Sequence, residues 1–129
     1  LSKIFEKLIT YTTTRVREYI GKQKGLTIGL GASTKGNVLL QMCGITKKML
    51  PYISERNPEK VGLRTLGDDI ELISEERARS LNPSCIFVIP WNFKAEIVDR
   101  EREYLEKGGK FLFIMPYPYV LTKDGETRL

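Results

Sequence analysis

The chain has 129 residues, 41% hydrophobic and 29% charged, with a formal net charge of +5. That length suits a single domain with a core of its own, and no apolar run approaches the roughly 20 residues that a membrane-spanning helix needs. With no histidine anywhere, Ser-His-Asp and Cys-His catalysis, an imidazole base and the common zinc sites are excluded.

The predicted elements run in a regular alternation. Residues 3–20 set Ile4, Leu8, Tyr11, Val16, Tyr19 and Ile20 near a 3.6-residue period, which predicts an amphipathic helix. "GKQKG" ends it, so residues 1–24 read as an N-terminal helix able to link to a preceding domain. "LTIGL" is a short buried strand. A helix starting at Thr34 or Lys35 runs through "NVLLQMC", with Gly44 as its stop. "MLPYIS" is a second strand whose start is limited by Pro51. "ERNPEKVGLRTLGDDIELI" reads as one long connection, with turn signals at Asn57-Pro58 and Gly67-Asp68.

"SEERARSL" is a short helix capped by Ser74, with acidic residues in its first turn. "SCIFVIP" is a third strand, its continuous apolar run fitting a parallel sheet. Asn92 is placed to cap the next helix, about residues 93–107, with Glu96–Arg100 and Glu103–Lys107 at supporting spacing. Gly108-Gly109 ends that helix, and "KFLFIM" is a fourth strand.

Strands alternating with helices predict an α/β fold, a Rossmann-like parallel sheet flanked by helices in a single domain, residues 1–129. The parallel strands are expected near residues 26–30, 50–54, 85–89 and 110–115. Ligands of such sheets sit at the carboxyl ends of the strands. Glycines, charges, aromatics and prolines gather there: Gly31 to Gly36, then Glu55 and Arg56, then Trp91 and Asn92, then Tyr117.

The loop in "IGLGASTKGNVLLQ" is the strongest local signal. It is not a Walker A loop, because Lys35 precedes Gly36 and Asn37 follows it. It also lacks the glycine that the dinucleotide fingerprint wants at Thr34. Its chemistry still suits an anion: flexible Gly31 and Gly36, the hydroxyls of Ser33 and Thr34, the Lys35 cation and free N–H groups at a helix start. Glu55 follows the second strand, where dinucleotide domains place a ribose-binding acid. Residues 1–48 carry nine Lys/Arg against two Glu, and residues 49–129 twelve Lys/Arg against fourteen Asp/Glu. An anionic partner near the basic half follows, unless these lysines are simply solvated.

Several residues keep two readings. Trp91 is placed either to stack on a base or sugar or to fill the sheet edge. Asn92 is a helix cap, a ligand contact, or both. Arg56 and Lys60 meet phosphate or water. Tyr117 and Tyr119 line the site or meet a neighbouring domain, and Asp68 and Asp69 read as turn residues. Cys43 and Cys85 fall in apolar stretches without metal-ligand spacing, so buried free thiols are expected, and no metal. The start "LSKIFEKLIT" lacks a signal-peptide core and an initiator Met. The chain is therefore read as cytoplasmic and as a piece of something longer.

"GASTKGNVLLQMCGI", "ERNPEKVGLRTLGDDIELI", "IPWNF" and "EIVDREREYLEKGGKFLFIMP" together resemble the C-terminal domain of the sugar C-methyltransferases, from about Phe5 to Pro118. That family uses S-adenosylmethionine to methylate a ring carbon of nucleotide-linked deoxysugars. Its members join a zinc-binding segment, a central cofactor-binding domain and a Rossmann-like C-terminal domain. The resemblance implies that this chain is the third part. It would bind a nucleotide-linked sugar through Gly31, Ser33, Thr34, Lys35, Gly36, Asn37, Glu55, Arg56, Trp91, Asn92 and Tyr117. It would have no catalytic residue of its own and no cofactor, S-adenosylmethionine belonging to the preceding methyltransferase domain. Nucleic acid and membrane are not expected partners. The residues alone leave open a free-standing nucleotide- or dinucleotide-binding domain and a structural or assembly domain.

Overall fold

A computed structural model describes residues 3–31, 40–65 and 69–129. The long first helix, α1 (Lys3–Lys22), precedes β1 (Thr27–Leu30). Residues 40–42 are helical and end at Gly44, whose positive φ of 64° turns the chain. There follow β2 (Tyr52–Glu55), β3 (Glu71–Ser74), α2 (Glu75–Ser80) and β4 (Cys85–Val88). A 3-10 turn (Trp91–Phe93) leads into α3 (Lys94–Arg100) and α4 (Arg102–Glu106). The chain closes with β5 (Phe111–Phe113), β6 (Tyr119–Thr122) and β7 (Gly125–Arg128).

All seven strands form one sheet in the order β3-β2-β1-β4-β5-β6-β7. Strands β3 to β5 in that order pair in parallel, and β6 and β7 add an antiparallel hairpin. The first five places, 3-2-1-4-5, are the doubly wound order expected from alternating strands and helices. The side chains alternate as a sheet covered on both faces requires. Cys85, Phe87, Ile53 and Leu112 join Val16 and Ile20 of α1 in one apolar cluster. Ile28, Leu30, Ile86, Val88, Phe111 and Phe113 join Ala78 of α2 and Ile97 of α3 in the other.

Two expectations are corrected and one element is new. The sheet has five parallel strands, not four, because "ELIS" inside the long connection pairs with β2 from Tyr52–Glu71 to Glu55–Ser74. The segment after Tyr117 is a hairpin, paired from Tyr119–Arg128 to Thr122–Gly125. The helix expected over 93–107 is two helices broken at Glu101 (φ −105°, ψ 27°). Other expectations hold: Ser74 Oγ accepts the Arg77 N–H at 3.1 Å, Glu103 and Lys107 pair at 2.8 Å, and both cysteines are buried free thiols.

Candidate functional site

At the carboxyl ends of β1, β2 and β4 lies a cavity of about 310 Å³. Three chain segments build its rim. Gly31 closes β1 with φ at +81° and donates its N–H to the Ser54 carbonyl at 3.0 Å. A Cβ there would lie 2.8 Å from the Pro90 ring, so the close passage of the two strand ends requires glycine on two counts. Pro90 carries β4 out of the sheet into the 3-10 turn that brings Phe93 to the rim.

Glu55, the last residue of β2, is 91% buried, its residual exposure being 9%. Its Oε1 accepts the Asn57 N–H at 3.0 Å, which turns the chain back at the strand end. Its other carboxylate oxygen, Oε2, is buried without a hydrogen-bond partner. Across the cavity, α3 contributes Glu96, Ile97 and Arg100. Arg100 does not pair with Glu96 as the four-residue spacing suggested. Its Nη2 reaches Glu75 at 3.4 Å, and its Nε is buried with no partner. Glu75, just past the Ser74 cap, also meets Arg56 at 3.8 Å. Two guanidinium groups therefore share one carboxylate at the mouth.

The expected site residues divide into groups. Gly31, Glu55 and Arg56 come together around this cavity. Trp91 stands beside it and is 43% exposed, so it does not fill a gap in the sheet edge. Asn92 lies inside the 3-10 turn instead of capping it: α3 begins at Lys94 after Phe93, with no side-chain cap. The chain must first round Pro90, and this delays the helix by one residue. Tyr117 sits on the β5–β6 connection away from the cavity, its ring under the Arg128 guanidinium at 4.2 Å. Ser33, Thr34, Lys35, Gly36 and Asn37 lie outside the described residues, as does Asp68.

Arg100, Glu75, Glu96 and Phe93 are wall residues that sequence reasoning passed over. Charges inside a helix resemble a solvated face, and no spacing marked them as inward-facing. A second groove of about 560 Å³ runs over the same sheet face between α2 and α4. Among the described residues, no group of His, Cys, Asp or Glu could hold a metal ion, and no helix is long and apolar enough to cross a membrane.

Residues 3–116 match a family described as the C-methyltransferase C-terminal domain. Over 96 residues the chain is 35% identical to C-methyltransferase NovU of Streptomyces niveus, a match covering 74% of this chain. It covers 23% of that relative, so the chain spans about a quarter of the protein it resembles.

Proposed function

Since this chain belongs to the C-methyltransferase C-terminal domain family, we propose that it is the substrate-binding domain of an S-adenosylmethionine-dependent C-methyltransferase. It holds a nucleotide-linked sugar and transfers no methyl group by itself. The observation that carries this reading is the cavity at the carboxyl ends of β1, β2 and β4, with the buried carboxylate of Glu55 in its wall. That is where doubly wound sheets bind nucleotides, and an acid at the end of the second strand is suited to a sugar hydroxyl.

The division of labour follows from the residue chemistry. Ser33, Thr34, Lys35, Gly36 and Asn37 follow the end of β1 and offer hydroxyls, a cation and N–H groups to a diphosphate. Trp91 offers an exposed ring for a base or sugar face. Arg56, whose Nε lies 3.8 Å from Glu75, lies at the mouth where phosphate would pass. S-adenosylmethionine supplies the methyl group when bound to the rest of the enzyme. The cavity here is small. At about 310 Å³ it stands at the bottom of the usual small-molecule range of roughly 300–1,000 Å³, which is room for one part of a ligand. Two buried free thiols suit a reducing, cytoplasmic setting.

The experiment is a calorimetric titration of the full-length protein with several nucleotide-linked sugars, beside an assay of this chain with labelled S-adenosylmethionine. Binding by the full-length protein that is lost on deleting this chain, with no methyl transfer by the chain alone, is the expected result. Unchanged substrate affinity after the deletion, or turnover by the chain alone, would refute it.

A further inference from the structure

The sheet treats its two edges differently. Beyond β3 the chain covers itself: Gly62 N–H donates to Leu72 O at 2.8 Å, and Leu72 N–H donates to Leu63 O at 2.9 Å. Beyond β7 no described strand follows, and all four residues of β7 are exposed. The hairpin that ends there lies outside residues 3–116, the part that matches the family.

The pairing inside the hairpin fixes which backbone groups face outward. Leu129 N–H donates inward to Pro118 O at 2.9 Å. Opposed residues of antiparallel strands alternate between hydrogen-bonded and non-bonded pairs. Along the register from Tyr119–Arg128 to Thr122–Gly125, Thr127 and Gly125 therefore also bond inward. Glu126 and Arg128 turn their N–H and C=O groups to the open edge, which is a template for another strand. A proline or a bulge would blunt it, and β7 has neither. The charges of Glu126 and Arg128 are opposite in sign and, two residues apart, lie over one face. Lys94 Nζ, 2.7 Å from Glu126 Oε2, and the Tyr117 ring, 4.2 Å from the Arg128 guanidinium, hold them there.

We infer that β7 pairs antiparallel with β7 of a second copy of this chain, about a two-fold axis at Thr127. That register sets Glu126 opposite the partner's Arg128, and Arg128 opposite the partner's Glu126. Each of these pairs exchanges two backbone hydrogen bonds and brings opposite charges face to face. Moving the axis to Glu126 or to Arg128 sets like charges against each other, so the charge pattern selects both the partner and the register. The dimer is closed, because pairing uses the open edge and the edge beyond β3 is already covered. The Tyr11 hydroxyl donates to Leu129 O at 2.8 Å, which fixes the exposed half of α1 beside the end of β7. Ile4 and Leu8 in that half are 72% and 58% exposed. They give apolar surface to a contact that paired strands alone would keep small and weak.

The test is sedimentation of the full-length protein up to about 1 mM, which detects a dissociation constant of millimolar order. Wild type should form a dimer and nothing larger. Glu126→Arg and Arg128→Glu each set like charges opposite each other in both pairs, and each should weaken the dimer about tenfold or more. Mixed together, these two variants restore opposite charges in both pairs, and the mixture should dimerise again. Hydrogen exchange at the Thr127 amide reports whether the hairpin is folded in each. Arg128→Pro removes one outward N–H and spares the bonds between β6 and β7. It should stay monomeric, and it decides the matter if a charge variant loses its hairpin. A monomeric wild type, a dimer indifferent to the single charge variants or to Arg128→Pro, or folded charge variants that stay apart when mixed would overturn the inference.

Discussion

Arg79 of α2 grips Glu101 with two arms: its Nε lies 3.2 Å from both carboxylate oxygens and its Nη2 lies 3.1 Å from Oε2. The pair joins α2 to the break between α3 and α4, and its members are unequal, with side chains 51% and 9% exposed respectively. Two helices on one sheet face are thus tied at the point where the longer helical segment gives way.

Breaking that tie leaves a mostly buried carboxylate without its cation. Removing one partner of a buried pair costs about 3–5 kcal/mol, and the half-exposed guanidinium reduces this to roughly 1–3 kcal/mol after screening. Urea unfolding of Arg79→Ala should show a loss in that range, with a smaller loss for Glu101→Gln, which keeps its hydrogen-bonding shape. A midpoint unchanged in Arg79→Ala would reduce the contact to an ordinary surface ion pair.

Gly109 is read by a different residue. A Cβ at position 109 would run into the Tyr104 ring, which is held by its hydroxyl near Pro83 O at 3.0 Å and the Lys110 N–H at 3.2 Å. The same ring meets Phe111 edge-on at 5.4 Å. Because the ring is fixed on several sides, Gly109→Ala should destabilise by about 1–3 kcal/mol through overpacking. Gly21→Ala is the contrast. It lies in α1 with nothing within 4 Å of the new methyl, so thermal unfolding should show no loss or a gain of up to about 1 kcal/mol.

The two thiols contribute to the loss of stability at alkaline pH. Burial pushes Cys43 up to about 11 and Cys85 up to about 12, from an ordinary value of 9.0. Above pH 9 the unfolded chain releases these protons while the folded chain keeps them. Fewer protons on the unfolded state mean that stability falls as pH rises, by about 1.4 kcal/mol per pH unit for each thiol until its folded value is reached. Below pH 9 the contribution is constant. A Cys43→Ala, Cys85→Ala double variant should therefore show a flatter stability profile between pH 9 and 11, whatever its loss at neutral pH. At pH 8 an aromatic disulfide reagent should react with both thiols in denaturant and slowly or not at all in the native chain. Rapid native reaction would contradict the burial.

Lys35 tests the basic half. Read as a contact to diphosphate, it supplies a charge-assisted hydrogen bond of about 1.5–3 kcal/mol. Lys35→Ala in the full-length protein should weaken a nucleotide diphosphate by roughly ten- to a hundredfold, leaving the melting temperature in place. Gly36→Val should weaken binding and folding together. Calorimetry showing Lys35→Ala equal to wild type, beside clear wild-type binding, would move the anion to another part of the protein.

The order of the elements was readable because their signals are local. Continuous apolar runs such as "CIFV" mark buried parallel strands, a Ser before two Glu marks the start of α2, and helix-ending glycines need no partner to be recognised. β3 was hidden because "ELIS" is only four residues long and follows turn signals, and the hairpin because its strands are four residues each and β7, "GETR", is exposed throughout and carries no apolar pattern. One half of the site was equally legible: Gly31, Glu55 and Arg56 sit next to strand ends, and position along the chain already says that they share an edge. The other half was not. Arg100 and Glu96 occupy a helix like any surface charges, and Glu55 gives no sign in sequence that one of its oxygens goes unanswered.

Sequence by itself therefore determined the α/β class, the family and the gathering of Gly31, Glu55 and Arg56 at one sheet edge, since each depends on residue types at short spacing. Only the tertiary structure decided that Glu55 and Arg100 wall one cavity, that Glu75 draws both arginines, and that Tyr117 stands apart. Those outcomes depend on how β2, α2 and α3 pack over the sheet, and packing joins residues whose separation along the chain carries no trace of their meeting.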